Sequence, residues 1–166
     1  MKSPPFRVEL LTASHDRLGF RCGVDRLDGY FQNQVTQDVR RRVTACFVAV
    51  DGEGRVASFC TLASASLLLS DLPTPIAKKL PRYPTVPVVR MGRLAVDAMY
   101  KGQGLGGAML ADALSRAARA EIGAFALMVD AKDEAAASFY RHHGLMVLPN
   151  NALTLFLPLS TVAGMP

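Results

Sequence analysis

The chain has 166 residues, half of them hydrophobic, with 19 basic and 14 acidic side chains and a formal net charge of +5. That length suits one domain with a sizeable core, and no stretch approaches the roughly 20 uninterrupted apolar residues that would span a bilayer. Cys22, Cys46 and Cys60 are odd in number and lack paired CxxC spacing, which argues against a disulfide framework and against a metal centre.

Met1 to Glu9 carries two prolines and mixed charge where a secretory signal would have an apolar core, so a cytoplasmic protein without a membrane partner is expected. Phe6 to Leu11 begins with alternation and reads as a strand. Val24 to Val39 places Leu27, Tyr30, Phe31, Gln34 and Val35 at helical spacing, and Asp25 is positioned to cap that helix. Ala45 to Val50, the turn Asp51 to Gly54, and Arg55 to Leu69 read as a hairpin. Pro73, Pro75, Pro81, Pro84 and Pro87 then punctuate a surface excursion with room for one short helix, around Ile76 to Leu80.

Val88 to Val96 reads as a strand, followed by a glycine turn and a helix from about Leu105 to Ile122 that Gly123 stops. Ala124 to Asp130 is the next strand and Asp133 to His143 the next helix, with Gly144 after it. Leu145 to Leu148 and Leu153 to Leu157 read as the last two strands. The order predicts a single α/β domain over residues 1–166, with a mixed, mostly antiparallel twisted sheet flanked by helices.

The turn between strand and helix is Lys101-Gly102-Gln103-Gly104-Leu105-Gly106-Gly107. Glycines there let the backbone bend sharply and let a ligand approach the amides, and the helix N-terminus adds an anion site suited to a pyrophosphate. A Walker loop needs Gly-Lys-Ser/Thr after its second glycine, and the chain has none. Gly102, Gly104 and Gly107 fit the Gly-x-Gly-x-x-Gly spacing of a dinucleotide fingerprint. That motif, however, opens the first βαβ unit, whereas this turn follows two-thirds of the sheet, and Glu121, the acid at the right distance, falls within the last turn of the predicted helix rather than at a strand end.

The turn instead resembles the pyrophosphate loop of the GNAT superfamily, Gln/Arg-x-x-Gly-x-Gly/Ala, with Lys101, Gly104 and Gly106 at its defining places. Arg93-Leu94-Ala95-Val96 is similar to that family's central strand, and the run from Asp133 through Ala136, Phe139 and Tyr140 to Gly144-Leu145 is similar to its later helix. The resemblance implies an N-acetyltransferase using acetyl-CoA. Leu94, Ala95 and Val96 would pair with the pantetheine arm, the seven residues of the turn would hold the pyrophosphate, and Asp133 and Ala136 would border the cofactor. Tyr140 would lie beside the sulfur and protonate the departing thiolate.

Many relatives use a glutamate near the central strand as base, yet Val88 to Val96 contains no acid. Asp97 is the nearest one, and aspartates at strand ends commonly begin turns. His142 and His143 sit together at a helix end and, like His15, are set aside. A site without a base suits an amine of pKa near 8 better than a lysine at about 10.4.

A narrower resemblance is to the GNAT toxins of bacterial toxin and antitoxin pairs. It rests on Phe20-Arg21-Cys22-Gly23 with Leu27-Asp28, on Arg90 to Asp97, on Asp130 to Asp133 and on the ending Leu155 to Leu159. It implies acetylation of the α-amine of aminoacyl-tRNA, a homodimer, and a DNA-binding antitoxin partner. Residues 61–101 hold six basic side chains (Lys78, Lys79, Arg82, Arg90, Arg93, Lys101) against Asp71 and Asp97, a net +4, and Arg40 to Arg42 form a second knot. This clustering favours an anionic partner, CoA phosphates or nucleic acid. Lys78, Lys79, Arg82, Arg90 and Arg93 are the candidates for tRNA phosphates, with no aromatic-rich platform beside them. A small-molecule or protein N-acetyltransferase and a non-catalytic CoA- or nucleic-acid-binding module remain as alternatives.

Overall fold

The computed structural model describes residues 6–163; Met1 to Pro5, part of the segment read above as lacking a signal, lie outside them. The strand order is β1 (Arg7–Leu10), β2 (Ala45–Val50), β3 (Val56–Leu68), β4 (Thr85–Val96), β5 (Ala126–Asp130), β7 (Asn151–Pro158), β6 (Met146–Leu148), and the described pairings are antiparallel except for β4 with β5. The chain divides into two compact units, residues 1–63 with 92–112 and residues 64–91 with 113–166. The strand β4 (Thr85–Val96) and the helix α4 (Leu105–Arg119) contribute to both.

In the first unit, β1 (Arg7–Leu10), β2 (Ala45–Val50) and the start of β3 (Val56–Leu68) form a meander. Its hairpin turn is the one the sequence marks. Asp51 Oδ1 accepts from the N–H groups of Glu53 and Arg55, both at 2.9 Å, and Gly54 supplies a φ of 82°. The predicted helix Val24 to Val39 is instead two, α1 (Asp25–Asn33) and α2 (Val35–Arg40). Gln34, at φ −121° and ψ −33°, breaks the run, and Asp38 holds the break from both sides, accepting from Tyr30 Oη at 2.8 Å and Gln34 Nε2 at 3.1 Å. Val24, not Asp25, is the N-cap, and it makes no side-chain cap. Asp25 lies in the first turn, where its charge still suits the helix dipole.

The core of this unit is aromatic. Phe31 and Phe59 stack with centroids 4.4 Å apart, and Phe20 meets them edge-on at 5.1 and 5.4 Å. Cys22 and Cys46 are buried with this cluster as reduced thiols. Burial is the main force pushing both thiol pKa values up, which keeps them protonated and poorly nucleophilic.

In the second unit, β5 (Ala126–Asp130) is buried along four of its five residues and pairs in parallel with β4, Val88 opposite Ala126 and Met91 opposite Val129. A parallel neighbour needs a crossover, and α4 supplies it. That helix ends at Arg119, so Gly123 falls in the connection rather than at the helix stop. The strand β7 (Asn151–Pro158) joins the other side of β5, and β6 (Met146–Leu148) forms the edge. In the chain α5 (Glu134–His142) lies between β5 and β6, and the single turn α6 (Ser160–Ala163) follows β7. The short helix of the proline-rich excursion is α3, at Thr74–Ala77 rather than Ile76 to Leu80. Pro75 in its first turn explains the shift, because proline lacks the N–H that a first turn leaves unpaired anyway.

Candidate active site

The first unit carries the glycine turn. Gly102 and Gly104 have φ of 82° and 77°, a region that L side chains rarely occupy. Ala108 N donates to Gly104 O at 3.1 Å, so Gly104 stands at the N-terminal boundary of α4. The backbone N–H groups that follow, in Leu105, Gly106 and Gly107, belong to the first turn and lack intrahelical acceptors. Lys101, Gly102, Gln103 and Gly104 are exposed, Gly106 and Gly107 half-buried, and Leu105 anchors the helix in the core. Such a cradle suits an anion.

Its position is fixed by residues far away in sequence. Lys101 Nζ donates to the carbonyl of Cys22 at 2.7 Å. Cys22 N donates to Asp28 Oδ1 at 2.8 Å, and Gly23 beside it has a φ of 96°. Arg21 N donates to Asp97 Oδ2 at 2.9 Å, while Ala98 N donates to Arg21 O. The Arg21-Cys22-Gly23 segment with Asp28 is therefore a backbone joint onto the residues before the glycine turn. In these bonds it is the backbone of Arg21 that meets Asp97 and Ala98, not its guanidinium.

Asp97 itself is 3% exposed and accepts from two backbone N–H groups, those of Arg21 and Met99, both at 2.9 Å. It is a turn cap, as its place at a strand end suggested. On β4, Leu94 and Val96 are half-buried and Ala95 is buried, with the Ala95 carbonyl accepting from Ser58 Oγ at 2.7 Å. Arg93 lays its guanidinium over the Tyr30 ring at 3.5 Å from the centroid, a cation–π contact. Burial, followed by the bond to Asp38, pushes the Tyr30 phenol pKa well up. His15 is buried against Glu9, Nε2 to Oε2 at 2.6 Å, and accepts from Thr12 N.

The second unit carries α5. Asp133 caps it, Oδ1 accepting from Ala136 N at 2.9 Å, so these two residues are engaged with each other. At the far end, Gly144 N donates to Arg141 O and Leu145 N to Tyr140 O, with Gly144 at φ 95°; this is a Schellman stop. Tyr140 is thus held through its own carbonyl, is 8% exposed, and meets Phe139 edge-on at 5.2 Å. His142 and His143 are exposed at the same end.

Lys78, Lys79, Arg82 and Arg90 are all exposed residues of this unit. Arg90 pairs with Asp130 at 2.8 Å, and Thr154 Oγ1 donates to the same carboxylate at 2.9 Å, a network across β4, β5 and β7. Sequence reasoning missed it, because the two partners of Asp130 come from other strands. Among the described residues no group of three or more His, Cys, Asp or Glu side chains could hold a metal ion, and no helix is long and apolar enough to cross a membrane.

A strand running through a glycine turn into the crossover helix of a parallel pair defines the class: an α/β protein whose helix N-terminus suits an anion. Residues 42–144 match the Acetyltransferase (GNAT) domain. Over 157 residues, covering 93% of this chain and 91% of the relative, the sequence is 34% identical to the tRNA-acetylating toxin of Mycobacterium tuberculosis. The chain belongs to the GNAT acetyltransferase family. Among solved structures, AtaT complexed with acetyl-methionyl-tRNAfMet is similar at a TM-score of 0.88 and 28% identity, covering 95% of this chain and 96% of that one. A tyrosine-to-phenylalanine mutant of the AtaT toxin, bound to the C-terminus of the antitoxin AtaR and acetyl-CoA, is similar at 0.81 and 25%, covering 96% of each chain.

Proposed function

We propose that this chain transfers the acetyl group of acetyl-CoA to the α-amine of an aminoacyl-tRNA and acts in the cytoplasm as a translation-blocking toxin. The observation that carries the reading is the 34% identity to the tRNA-acetylating toxin along nearly the whole of both chains. The tRNA and acetyl-CoA complexes of AtaT support the same pair of substrates.

The chemistry of the first unit agrees. Asp97, the acid just past the base-free strand, is occupied by two N–H groups, so the acceptor must arrive as a neutral amine. An α-amino group, with a pKa of about 8, is partly neutral in the cytoplasm, whereas a lysine at about 10.4 is almost wholly charged. The neutral amine attacks the thioester carbonyl carbon, and the nitrogen, now positively charged, gives its extra proton to water. The C–S bond then breaks, and the thiolate takes a proton from the Tyr140 phenol, which solvent restores.

Backbone groups of Leu94, Ala95 and Val96 hold the pantetheine arm, and N–H groups between Lys101 and Gly107 hold the pyrophosphate. Asp133 and Ala136 border the cofactor through the start of α5. Lys78, Lys79, Arg82 and Arg90 meet tRNA phosphates, with Arg93 adding charge from its place over Tyr30. The active protein is a homodimer over a single N-acetyltransferase domain, silenced by a DNA-binding antitoxin.

The test is incubation with acetyl-CoA and total aminoacylated tRNA, with Tyr140→Phe in parallel. Acetylated charged tRNA from the wild type is expected. Charged tRNA left unmodified, with turnover on free amines, would establish a small-molecule or protein acetyltransferase instead.

A further inference from the structure

The excursion that the sequence marks only by its prolines folds into a cleft. In the second unit, Leu69 N donates to Pro84 O at 2.9 Å and closes the intervening segment into a loop. Leu72, 4% exposed, belongs to the core cluster of Leu67 and Val86 and ties that loop down. A cleft of about 650 Å³ opens there, bordered among others by Leu68, Leu72, Ala77, Lys78, Arg82 and Tyr83. That volume is in the range of small-ligand sites.

Its lining combines an apolar floor, two cations and a tyrosine, and contains no carboxylate. Tyr83 is 70% exposed, and Lys78 and Arg82 form no ion pair among the described residues. A purely apolar partner would bury those two cations without compensation, which is costly. A free inorganic anion would leave the ring and the floor in water. A nucleotide satisfies all three features: every base has a π-face to stack on an aromatic ring, and its phosphate matches the cations. Pro73, Pro75, Pro81 and Pro84 restrict the loop beforehand, so little further ordering is needed on binding.

We infer that this cleft holds one unpaired nucleotide, its base against the Tyr83 ring and its phosphate at Lys78 and Arg82. The inference rests on the aminoacyl-tRNA reading, since the unpaired acceptor end of a charged tRNA supplies such a nucleotide. Tyr83 was not singled out in the sequence because it is a solitary aromatic; the fold sets it on one cleft with Lys78 and Arg82.

The experiment compares wild type, Tyr83→Ala, Tyr83→Phe and the double variant Lys78→Ala/Arg82→Ala. Binding is measured to a short labelled single-stranded RNA and to a fully paired hairpin, together with steady-state kinetics on aminoacyl-tRNA. Tyr83→Ala is expected to weaken single-strand binding roughly 10-fold, the size of one lost base stack, with Tyr83→Phe close to wild type. The KM for aminoacyl-tRNA should rise by the same factor while that for acetyl-CoA stays put, and hairpin binding should not respond to Tyr83. The double variant should flatten the salt dependence by about one phosphate contact.

Single-strand affinity unchanged in Tyr83→Ala overturns the inference. So does a fall in oligomeric state in that variant, which would make the cleft a contact between copies of the chain. The two readings separate cleanly. Charged tRNA left unmodified by the wild type, with RNA binding still governed by Tyr83, removes the acetylation reading and leaves the cleft. Acetylation with the same KM in wild type and Tyr83→Ala does the reverse.

Discussion

The ammonium of Lys101 donates to the carbonyl of Cys22 at 2.7 Å, joining the first residue of the glycine turn to a segment 79 positions earlier. A cation at the head of a glycine turn invites a purely electrostatic reading. The bond to Cys22 gives it a second task, that of setting where the turn begins. Lys101→Met should lower stability by about 1 kcal/mol, the low side for a charge-assisted hydrogen bond because the side chain is exposed. It should also raise the KM for acetyl-CoA. Lys101→Gln keeps a donor without the charge and should recover the melting temperature. If Met and Gln variants melt together and differ from wild type only in acetyl-CoA affinity, the lysine is a phosphate ligand alone.

Tyr140 is held by a Schellman stop through its carbonyl and by an edge contact with Phe139. Tyr140→Phe keeps both and should lower kcat by roughly 10²- to 10⁴-fold, the range for loss of a general acid. The KM for acetyl-CoA should change little. Acceptor turnover followed by thiol release checks this, and full activity in the variant would remove Tyr140 as the proton donor.

The sequence makes legible whatever is local. The glycine turn, the Asp51 to Gly54 hairpin and the caps of α5 are written in consecutive residues whose backbone demands are specific. What it hides is joined across strands. The Asp130 network draws on Arg90 and Thr154, and the joint from Cys22 to Lys101 spans much of the first unit. The break at Gln34 is hidden differently: helical periodicity continues through it, and only the side-chain bonds converging on Asp38 reveal it. Tyr30 reads as a core-facing helix residue, yet its ring also receives a cation, Arg93, from β4. The basic residues were countable in advance, but which of them stay unpaired depended on the pairing of strands.

Asp97 is the residue that decides whether the site has a base. Asp97→Ala strips acceptors from two N–H groups at a nearly buried position and should destabilise by about 2–4 kcal/mol. Asp97→Asn keeps one oxygen and should recover about half of that. In the folded Asn variant, kcat should stay within about threefold of wild type and the pH–rate profile should keep its shape. Loss of an acid limb from that profile would make Asp97 the base after all.

Asp51 and Tyr100 should contribute to how the first unit responds to pH. Tyr100 Oη donates to Asp51 Oδ2 at 2.6 Å. That bond is the leading cause both of the lowered Asp51 pKa and of the raised Tyr100 pKa. For Asp51, the stabilisation is present above the ordinary carboxylate value and is lost as pH falls through its lower folded value. For Tyr100, the neutral phenol is the bonded form, so the contribution is intact below about pH 10 and is lost as pH rises toward its folded value. Tyr100→Phe removes the bond but keeps the ring that meets Phe6 edge-on at 5.6 Å. The variant should melt about 2 °C below wild type between roughly pH 5 and pH 9, and the gap should close below about pH 4 and above about pH 10. Thermal melts of both proteins across that range test it. A gap that stays constant at both extremes would mean that the hydroxyl–carboxylate bond contributes nothing and that the difference lies in packing.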